Sequence, residues 1–257
     1  MQDNARSGVQ AIARAGSVLR ALEGAPEGLS LHELSAAVDL PKSTVHRLVA
    51  ALTTEELIGT APSGRLRLGG GLARLGAATR QALGHDLMPV LQQLHAELDE
   101  TVDLAVLDGS VARFVEQLPA PHRLRAVSAV GSAFPLHCTA NGKALLATLP
   151  EGDALALLPA RLERFTPNTI TERDELLTQL GRIRSTGIAV DEEEHTEGIC
   201  AVGAAVGVTA DGPLAAISVP VPTPRFRGAE DRYTEALKAA ATAAASRLTP
   251  AASPSSG

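Results

Sequence analysis

The chain is poor in aromatic residues. It has no tryptophan, one tyrosine and four phenylalanines among 257 residues. Proteins that read RNA or single-stranded DNA stack the bases on aromatic side chains, so this scarcity argues against both functions.

Cysteine is also scarce. Cys138 and Cys200 form no Cys-x-x-Cys pair, and neither a disulfide framework nor a structural zinc site is expected.

Long apolar runs are missing as well. No run reaches the roughly 18–20 residues that a membrane span needs, and the N-terminal segment has no apolar signal-peptide core. Hydrophobic residues make up 45% of the chain and charged residues 20%, which is typical of a globular protein. We therefore expect a cytoplasmic protein without a membrane partner, of one large or two modest domains.

Net positive charge is absent too, since the formal net charge is −6. The excess of acid is not uniform: residues 1–70 hold seven basic and seven acidic residues, and the remainder holds 16 and 22. Pro41 to Leu52 contains Lys42, His46 and Arg47 and no acidic residue. Because local charge on a docking face matters more than the total, an acidic chain of this kind can still bind DNA.

The most informative segment is residues 30–52, SLHELSAAVDLPKSTVHRLVAAL. Two apolar runs of helical spacing are separated only by Asp39, Leu40 and Pro41. Ser30 with Glu33 three residues later has the form of a capping box, and Pro41 suits the first turn of the next helix. Two short helices joined so tightly predict a helix-turn-helix, whose second helix can enter the major groove. A plain helical hairpin in a packed domain is the alternative.

Six residues are the candidate DNA contacts. Ser43 and Thr44 suit base edges or phosphate, Arg47 suits guanine, and Lys42 suits phosphate. Residues 57–60, a turn at 61–64 and the alternating residues 65–68 predict a two-stranded wing, from which a basic side chain could reach phosphate or the minor groove. The predicted set is Lys42, Ser43, Thr44, His46, Arg47 and Arg65.

The rest of the chain predicts a mixed α+β domain. Residues 72–83 form a predicted connecting helix that stops at Gly84, and residues 88–98 form another helix. Strand-like segments at 101–107, 111–118 and 214–221, with Asp-Gly turns at 108–109 and 211–212, favour a largely antiparallel sheet. Further helices are expected at 141–149, 173–185 and 233–248, and strands at 123–130, 188–190 and 199–208.

Several segments, in this order and spacing, resemble the IclR family of bacterial transcription regulators. They are LPKSTVHRLVAAL at 40–52, RLRLGGGLARLG at 65–76, TVDLAVLDG at 101–109, FPLHCTANGKALLA at 134–147, GIAVDEEEHTEGICAVGAAV at 187–206 and AAISVPVPTPRF at 215–226.

The resemblance implies a winged helix-turn-helix at 1–70, a linker helix at 71–87 and a GAF-like effector-binding domain at 88–249. The composition of residues 250–257 predicts a disordered tail. It also implies a homodimer or a dimer of dimers. Repression is the commoner behaviour in the family, and the effector is a small organic acid or aromatic compound. Mapped onto this chain, the implied effector-binding residues are Thr139, Ala140, Asn141, Asp191, Cys200 and Ser218.

Three positions depart from the family pattern. Asn141 stands where a bulky apolar residue is common, and Pro220 replaces a second serine. Ala201 stands where a cysteine is common, so that Cys200 is shifted by one residue. A one-residue shift in a strand moves the side chain to the opposite face, which could turn Cys200 away from the effector.

The sequence also contains features that bear on functions other than regulation. Asn141-Gly142-Lys143 lacks the preceding glycine and the following serine or threonine of a phosphate loop. The acidic segment at 191–195 fits a solvated loop better than a metal site, and we expect neither a metal nor a cofactor. An enzyme with an accessory DNA-binding module is the alternative, but no set of nucleophile, base and orienting residue is visible. A sequence-blind DNA protein fits poorly with the acidic total.

Overall fold

The computed structural model describes residues 2–126, 128–206 and 215–248. The chain divides into two compact units, residues 1–79 and residues 80–257, and the division falls inside the predicted linker. None of the described helices is long and apolar enough to cross a membrane. The described helices are α1 (Gln2–Glu23), α2 (Leu31–Ala37), α3 (Lys42–Thr54), α4 (Gly70–Leu98), α5 (Ala140–Ala147), α6 (Glu151–Ala156), α7 (Arg173–Thr186), α8 (Thr223–Phe226) and α9 (Glu230–Leu248).

Unit 1 is a winged helix-turn-helix. The wing consists of β1 (Ile58–Thr60), β2 (Leu66–Leu68) and the turn between them, and its strands are antiparallel. The predicted capping box is present, because Ser30 and Glu33 exchange hydrogen bonds at the start of α2. Asp39, with φ of 50°, supplies the left-handed residue that makes the turn before α3 so short. The core of the unit contains Val18, Leu22, Leu34, Val45, Leu52 and Ile58.

Unit 2 is built on a six-stranded antiparallel sheet, as the pattern of strands and Asp-Gly turns predicts. The strand order is β5-β4-β3-β8-β7-β6. The strands are β3 (Val102–Asp108), β4 (Val111–Leu118), β5 (Ala133–Pro135), β6 (Ala189–Glu192), β7 (Ile199–Val206) and β8 (Ala215–Pro222).

The two faces of this sheet carry different helices. Alternate side chains of β3, β7 and β8, such as Leu104, Val202 and Ile217, form one core with α9 and with the half of α4 beyond Leu83. The opposite face forms a second core with α5 and α7. Because side chains alternate along each strand, a residue next in sequence to a core residue of the first face belongs to the second face.

The predicted break at Gly84 is wrong, because α4 continues through Gly84 and Pro89 to Leu98. A glycine inside a helix costs only about 1 kcal/mol relative to alanine, and a proline costs about 3 kcal/mol. Burial of the helix face offsets these costs, since each large aliphatic side chain contributes about 1.5–3 kcal/mol. The buried side chains of this helix face are Leu83, Leu87, Val90, Leu91, Leu94 and Leu98.

The predicted strand at 123–130 is also wrong, since its described residues adopt irregular structure. Its alternation has another origin: Ala126 and Ser128 face inward, whereas Leu124 and Val130 are exposed. The helices at 141–149, 173–185 and 233–248 are confirmed to within a few residues. The Asp211-Gly212 turn and the tail at 250–257 lie outside the described residues.

Candidate functional site

The first candidate site is the α3 face, which comprises Lys42, Ser43, Thr44, His46 and Arg47. Thr44 is half-buried and the other four residues are exposed. They are held outward because Val45 and Leu52, on the opposite side of α3, are buried in the core of unit 1. Pro41 gives α3 no side-chain cap, so the first N–H groups of the helix are free to bind a phosphate oxygen.

Arg65, which the sequence predicts as a DNA contact, makes hydrogen bonds within unit 1. Its Nε donates to the carbonyl oxygen of Gly28 at 2.9 Å, and its Nη2 lies 2.8 Å from Glu33 Oε2. The side chain thereby fastens the wing to the capping box of α2, in which the Ser30 N–H also donates to Glu33. These bonds, above all those from Ser30, lower the pKa of Glu33 to about 2.

Arg67, the other arginine of the wing, has no hydrogen-bond or ion-pair partner among the described residues, and the predicted DNA contacts do not include it. It lies opposite Gly59 in the β1–β2 pair and is exposed. The alternation in RLRL places Arg65 and Arg67 on the same face of the strand, so the sequence could have indicated either arginine as a DNA contact. The sequence pattern does not show that Arg65 is engaged by Gly28 and Glu33.

The second candidate site is a cavity of about 300 Å³ in unit 2, which we call the sheet cavity. It opens over the second face of the sheet, beside the N-terminus of α5. Five of the six implied effector residues line it: Thr139, Ala140, Asn141, Asp191 and Ser218. Two further lining residues, Ala201 and Pro220, are positions where the sequence departs from the family pattern. The other nine were not predicted: Asp103, Phe114, Arg125, Ala126, Ser128, Phe134, His195, Thr196 and Ile199.

Cys200 does not line the sheet cavity, so its inclusion among the effector residues is wrong. Its side chain belongs to the core on the first face of the sheet, and its sulfur lies 3.4 Å from Thr223 Oγ1. The neighbouring Ala201 lines the cavity instead. Strand alternation is the cause, because adjacent residues of β7 point to opposite faces.

The N-terminus of α5 forms one end of the sheet cavity. Thr139 caps the helix by accepting a hydrogen bond from the N–H of Gly142. Asn141 accepts from the same N–H through Oδ1, and its buried Nδ2 has no hydrogen-bond partner among the described residues. A free amide donor beside the positive end of a helix is suited to an anion such as a carboxylate.

Gly203 allows α5 to approach the sheet this closely. A Cβ atom at Gly203 would lie 2.6 Å from the backbone carbon and oxygen of Ala140. Gly203 pairs with Ser218, which in turn lies next to Asp103 across the sheet. The helix N-terminus, the serine hydroxyl and the aspartate therefore follow one row across three strands.

Asp191 stands on a tight turn at the end of β6. Its Oδ1 accepts a hydrogen bond of 2.7 Å from the N–H of Glu194. Burial raises the pKa of Asp191 to about 7, because the hydrogen bond and the nearby Lys143 only partly offset the loss of water. Near neutral pH, part of the population therefore has Asp191 ionised, which only accepts hydrogen bonds, and part has it protonated, which can also donate one.

A buried ion pair holds the turn of Asp191 against α5. Lys143 is fully buried and donates to Glu194, to the carbonyl oxygen of Val190 at 2.6 Å and to Gln179 Oε1 at 2.8 Å. The prediction of a solvated loop at 191–195 is therefore correct only in part: Glu192 is exposed, but Asp191 and His195 line the cavity. Within the described ranges, no group of three or more His, Cys, Asp or Glu side chains is placed to hold a metal ion.

Aromatic rings form the remaining wall of the cavity. His195 stacks on Phe134 with ring centroids 4.6 Å apart, and Phe134 meets Phe114 edge-on at 4.9 Å. Burial lowers the pKa of His195, and the neighbouring His137 lowers it further, so the ring is neutral at pH 7. The cavity thus combines an end whose free donor suits an anion, two buried carboxyl groups and an apolar wall.

Comparison with known proteins identifies both units. Residues 11–62 match the IclR helix-turn-helix domain, and residues 76–246 match the family described as bacterial transcriptional regulator IclR C-terminal. The chain belongs to the IclR family of bacterial transcriptional regulators. It is 49% identical, over 93% of its length and 92% of the relative, to the HTH-type transcriptional regulator Rv1719 of Mycobacterium tuberculosis.

Two further IclR relatives support this assignment. The HTH-type transcriptional repressor AllR of Escherichia coli K12 is 32% identical over 89% of this chain and 85% of its own length. The crystal structure of an IclR transcriptional regulator from Alicyclobacillus acidocaldarius aligns with a TM-score of 0.61 at 27% identity, and covers 93% of this chain and 99% of that one. The IclR resemblance noted in the sequence is thereby confirmed, as is the α+β fold with its winged helix-turn-helix.

Proposed function

We propose that this IclR-family regulator is a repressor that binds its operator through the α3 face and releases it when a small organic acid occupies the sheet cavity. The DNA-binding part of this proposal rests on one observation. On a helix segment without an acidic residue, four polar or basic side chains are exposed: Lys42, Ser43, His46 and Arg47. Basic and hydroxyl side chains on one exposed helix face are what phosphate and base-edge contacts require. Repression is supported by the name of AllR, a repressor by description.

The proposed effector class follows from the end of the cavity at α5. The free Nδ2 of Asn141 and the helix N-terminus favour a carboxylate, and Thr139 and Ala140 complete that end. The apolar wall of Phe114, Phe134 and the neutral His195 suits an aliphatic or aromatic body. The acid must bind two arrangements of the protein with different affinity, because otherwise it shifts no equilibrium.

We also propose that the repressor acts as a homodimer in the cytoplasm, where bacterial operators lie. Two recognition helices related by a two-fold axis match the two halves of a palindromic operator. Val9 and Ile12 on α1 are 70% and 76% exposed, and a second copy of the chain is the partner that would cover them. Sedimentation of Ile12→Glu beside the unaltered protein tests this. The dimer of the variant should dissociate at a higher protein concentration than the dimer of the unaltered protein.

Catalysis is not part of the proposed function. The thiol of Cys138 is fully buried. Burial, with Asp191 and Glu194 nearby, raises its pKa, whereas an activated thiol has a lowered one. His137 beside it contacts the carbonyl oxygen of Glu163 at 2.9 Å rather than the sulfur.

The decisive experiment uses DNA that the protein itself selects from a random-sequence duplex pool. Fluorescence anisotropy then compares the selected duplex with a scrambled duplex at fixed salt, with and without a panel of small carboxylic acids. We expect tighter binding to the selected duplex and its release by at least one acid. Equal affinity for both duplexes would contradict sequence-specific binding. If every acid that changes the affinity for the selected duplex made the protein bind that DNA more tightly, a repressor released by its effector would be contradicted.

A further inference from the structure

Asp103 is an ionisable side chain in the middle of the sheet's second face. It lies on β3 between Ser218 of β8 and Gln117 of β4, and only 2% of its surface is exposed. The apolar side chains next to it in sequence, Val102 and Leu104, point to the core on the other face. An acid in this position is costly to bury, which makes its surroundings informative.

Both oxygens of Asp103 accept hydrogen bonds from neutral groups. Ser128 Oγ donates to Oδ2 at 2.7 Å, and Gln117 Nε2 donates to Oδ1 at 2.8 Å. None of the ion pairs of the described residues includes Asp103. Each oxygen keeps a lone pair free, and the described residues give this carboxylate no ion-pair partner.

The cavity supplies little positive charge of its own. Arg125 reaches it from the exposed rim and donates to the carbonyl oxygen of His122, while His195 is neutral near pH 7. Lys143 is already paired with Glu194. Asp191 adds a second buried carboxyl group to the wall. An effector that carried only a carboxylate would therefore leave Asp103 without a cationic partner.

The anion-binding end and Asp103 are separated by a distance that one small molecule can span. Gly203, which lies beneath the N-terminus of α5, and Asp103 are two strands apart in one row. Neighbouring strands are about 4.8 Å apart, so these two backbones are roughly 10 Å apart. Side chains and hydrogen bonds occupy part of that distance, which leaves a few ångströms between the two poles of a ligand.

We propose that Asp103 selects an effector that bears a protonated aliphatic amine as well as a carboxylate, with the ammonium group on Asp103 and the carboxylate at the N-terminus of α5. The effector would then be an amino acid in the broad sense rather than a plain organic acid. This inference rests on the proposed effector function of the sheet cavity and narrows its ligand class. It makes Asp103 a residue that determines specificity.

The test compares matched ligands on the full-length protein by calorimetry. Three series share a skeleton and differ in one group: β-alanine, 3-hydroxypropionate and propionate; 5-aminovalerate, 5-hydroxyvalerate and valerate; and phenylalanine, 3-phenyllactate and 3-phenylpropionate. In the series that binds most tightly, we expect the amino member to bind at least about tenfold more tightly than the plain acid. Asp103→Asn should reduce that ratio below about threefold, since the neutral amide removes the ion pair.

Asp108→Asn is the matched control, because Asp108 lies on the same strand but pairs with Arg113 outside the cavity. It should keep the preference of the unaltered protein. Equal or tighter binding of the plain acid in each series that binds would overturn the role of Asp103 and leave the proposed function standing. If none of the nine compounds binds, the proposed acid effector fails as well.

A second measurement uses the unaltered protein, so its result does not depend on whether Asp103→Asn folds. Burial raises the pKa of Asp103 to about 6, so its ionised fraction grows between pH 5 and pH 8. The affinity ratio of amino member to plain acid should grow over the same range. Asp191, Arg125 and His195 face the same cavity, and the ratio is therefore compared with that of Asp191→Asn. A ratio that falls with rising pH would instead make Asp103 a protonated donor, and would overturn the proposal.

Discussion

Arg65 and Glu33 form an ion pair at 2.8 Å that joins the wing to the first turn of α2. The two residues are 32 positions apart in the chain. Arg65 also donates to the carbonyl oxygen of Gly28, so the pair belongs to a small network rather than to an isolated surface contact. The wing is therefore positioned by an arginine that the sequence analysis expected to contact DNA.

The two wing arginines should respond differently to substitution. Arg67→Ala should reduce the slope of log K against log salt by about one, because one phosphate contact is lost. Arg65→Ala should leave that slope unchanged and lower the stability of unit 1 by about 1 kcal/mol. Salt titrations of DNA binding, together with thermal unfolding, distinguish them. A slope reduced by Arg65→Ala would restore Arg65 as a phosphate contact.

Arg47 is the predicted base reader of the α3 face. Arg47→Ala should cost about 1–3 kcal/mol on the selected duplex and much less on a scrambled one, because a guanine contact is lost only in the specific complex. Lys42→Ala is the matched comparison and should weaken both complexes alike. Equal losses on the two duplexes for Arg47→Ala would assign Arg47 to the phosphate backbone.

The buried pair of Lys143 and Glu194 gives a prediction about stability. Lys143→Met alone should destabilise unit 2 by about 3–5 kcal/mol, because it leaves the Glu194 carboxylate buried without its cation. Adding Glu194→Leu should recover most of that loss. Urea unfolding of the two single variants and the double variant measures the coupling. Additive losses would show that the pair does not act as a unit.

Asp191 predicts a specific dependence of stability on pH. Its pKa is raised from 3.8 to about 7, so the folded protein holds this proton more tightly than the unfolded chain. Stability therefore falls as pH rises across that range, and Asp191→Asn removes this loss. The variant should gain up to about 1.4 kcal/mol per pH unit relative to the unaltered protein between roughly pH 4 and 7. Unfolding at pH 5, 6, 7 and 8 measures the difference.

The control for this prediction is Asp108→Asn, whose carboxylate is 44% exposed. Asp191→Asn should gain stability with rising pH relative to this variant as well as relative to the unaltered protein. If the stability curve of Asp191→Asn instead ran parallel to that of the unaltered protein, the carboxyl group of Asp191 would be solvated in solution and not part of a closed cavity wall.

Local patterns predicted most of the elements because the physics behind them is local. The capping box at Ser30 and Glu33 and the short turn at Asp39 depend on neighbours within a few residues. Gly84 misled the prediction of α4 because glycine disfavours helix in isolation. Packing of that helix against the sheet, which no local window contains, keeps it continuous.

The cavity was predictable only in part for the same reason. Asn141, Asp191 and Ser218 were placed by family resemblance, and all three line it. Asp103 was visible as a lone acid in an apolar strand, but its neighbours Gln117 and Ser128 come from pairings across the sheet and from an irregular segment. Strand alternation was the one general rule that could address Cys200, and it correctly indicated the opposite face.

The concentration of aromatic rings at the sheet cavity has a spectroscopic consequence. Phe114 and Phe134 line the cavity and Phe165 stacks on His195, whereas Phe226 and the single tyrosine, Tyr233, stack on each other in the core on the other face. Because the chain lacks tryptophan, an indole installed at Phe134 would emit against an almost dark background. Its fluorescence would report events in this cavity alone, without an attached dye.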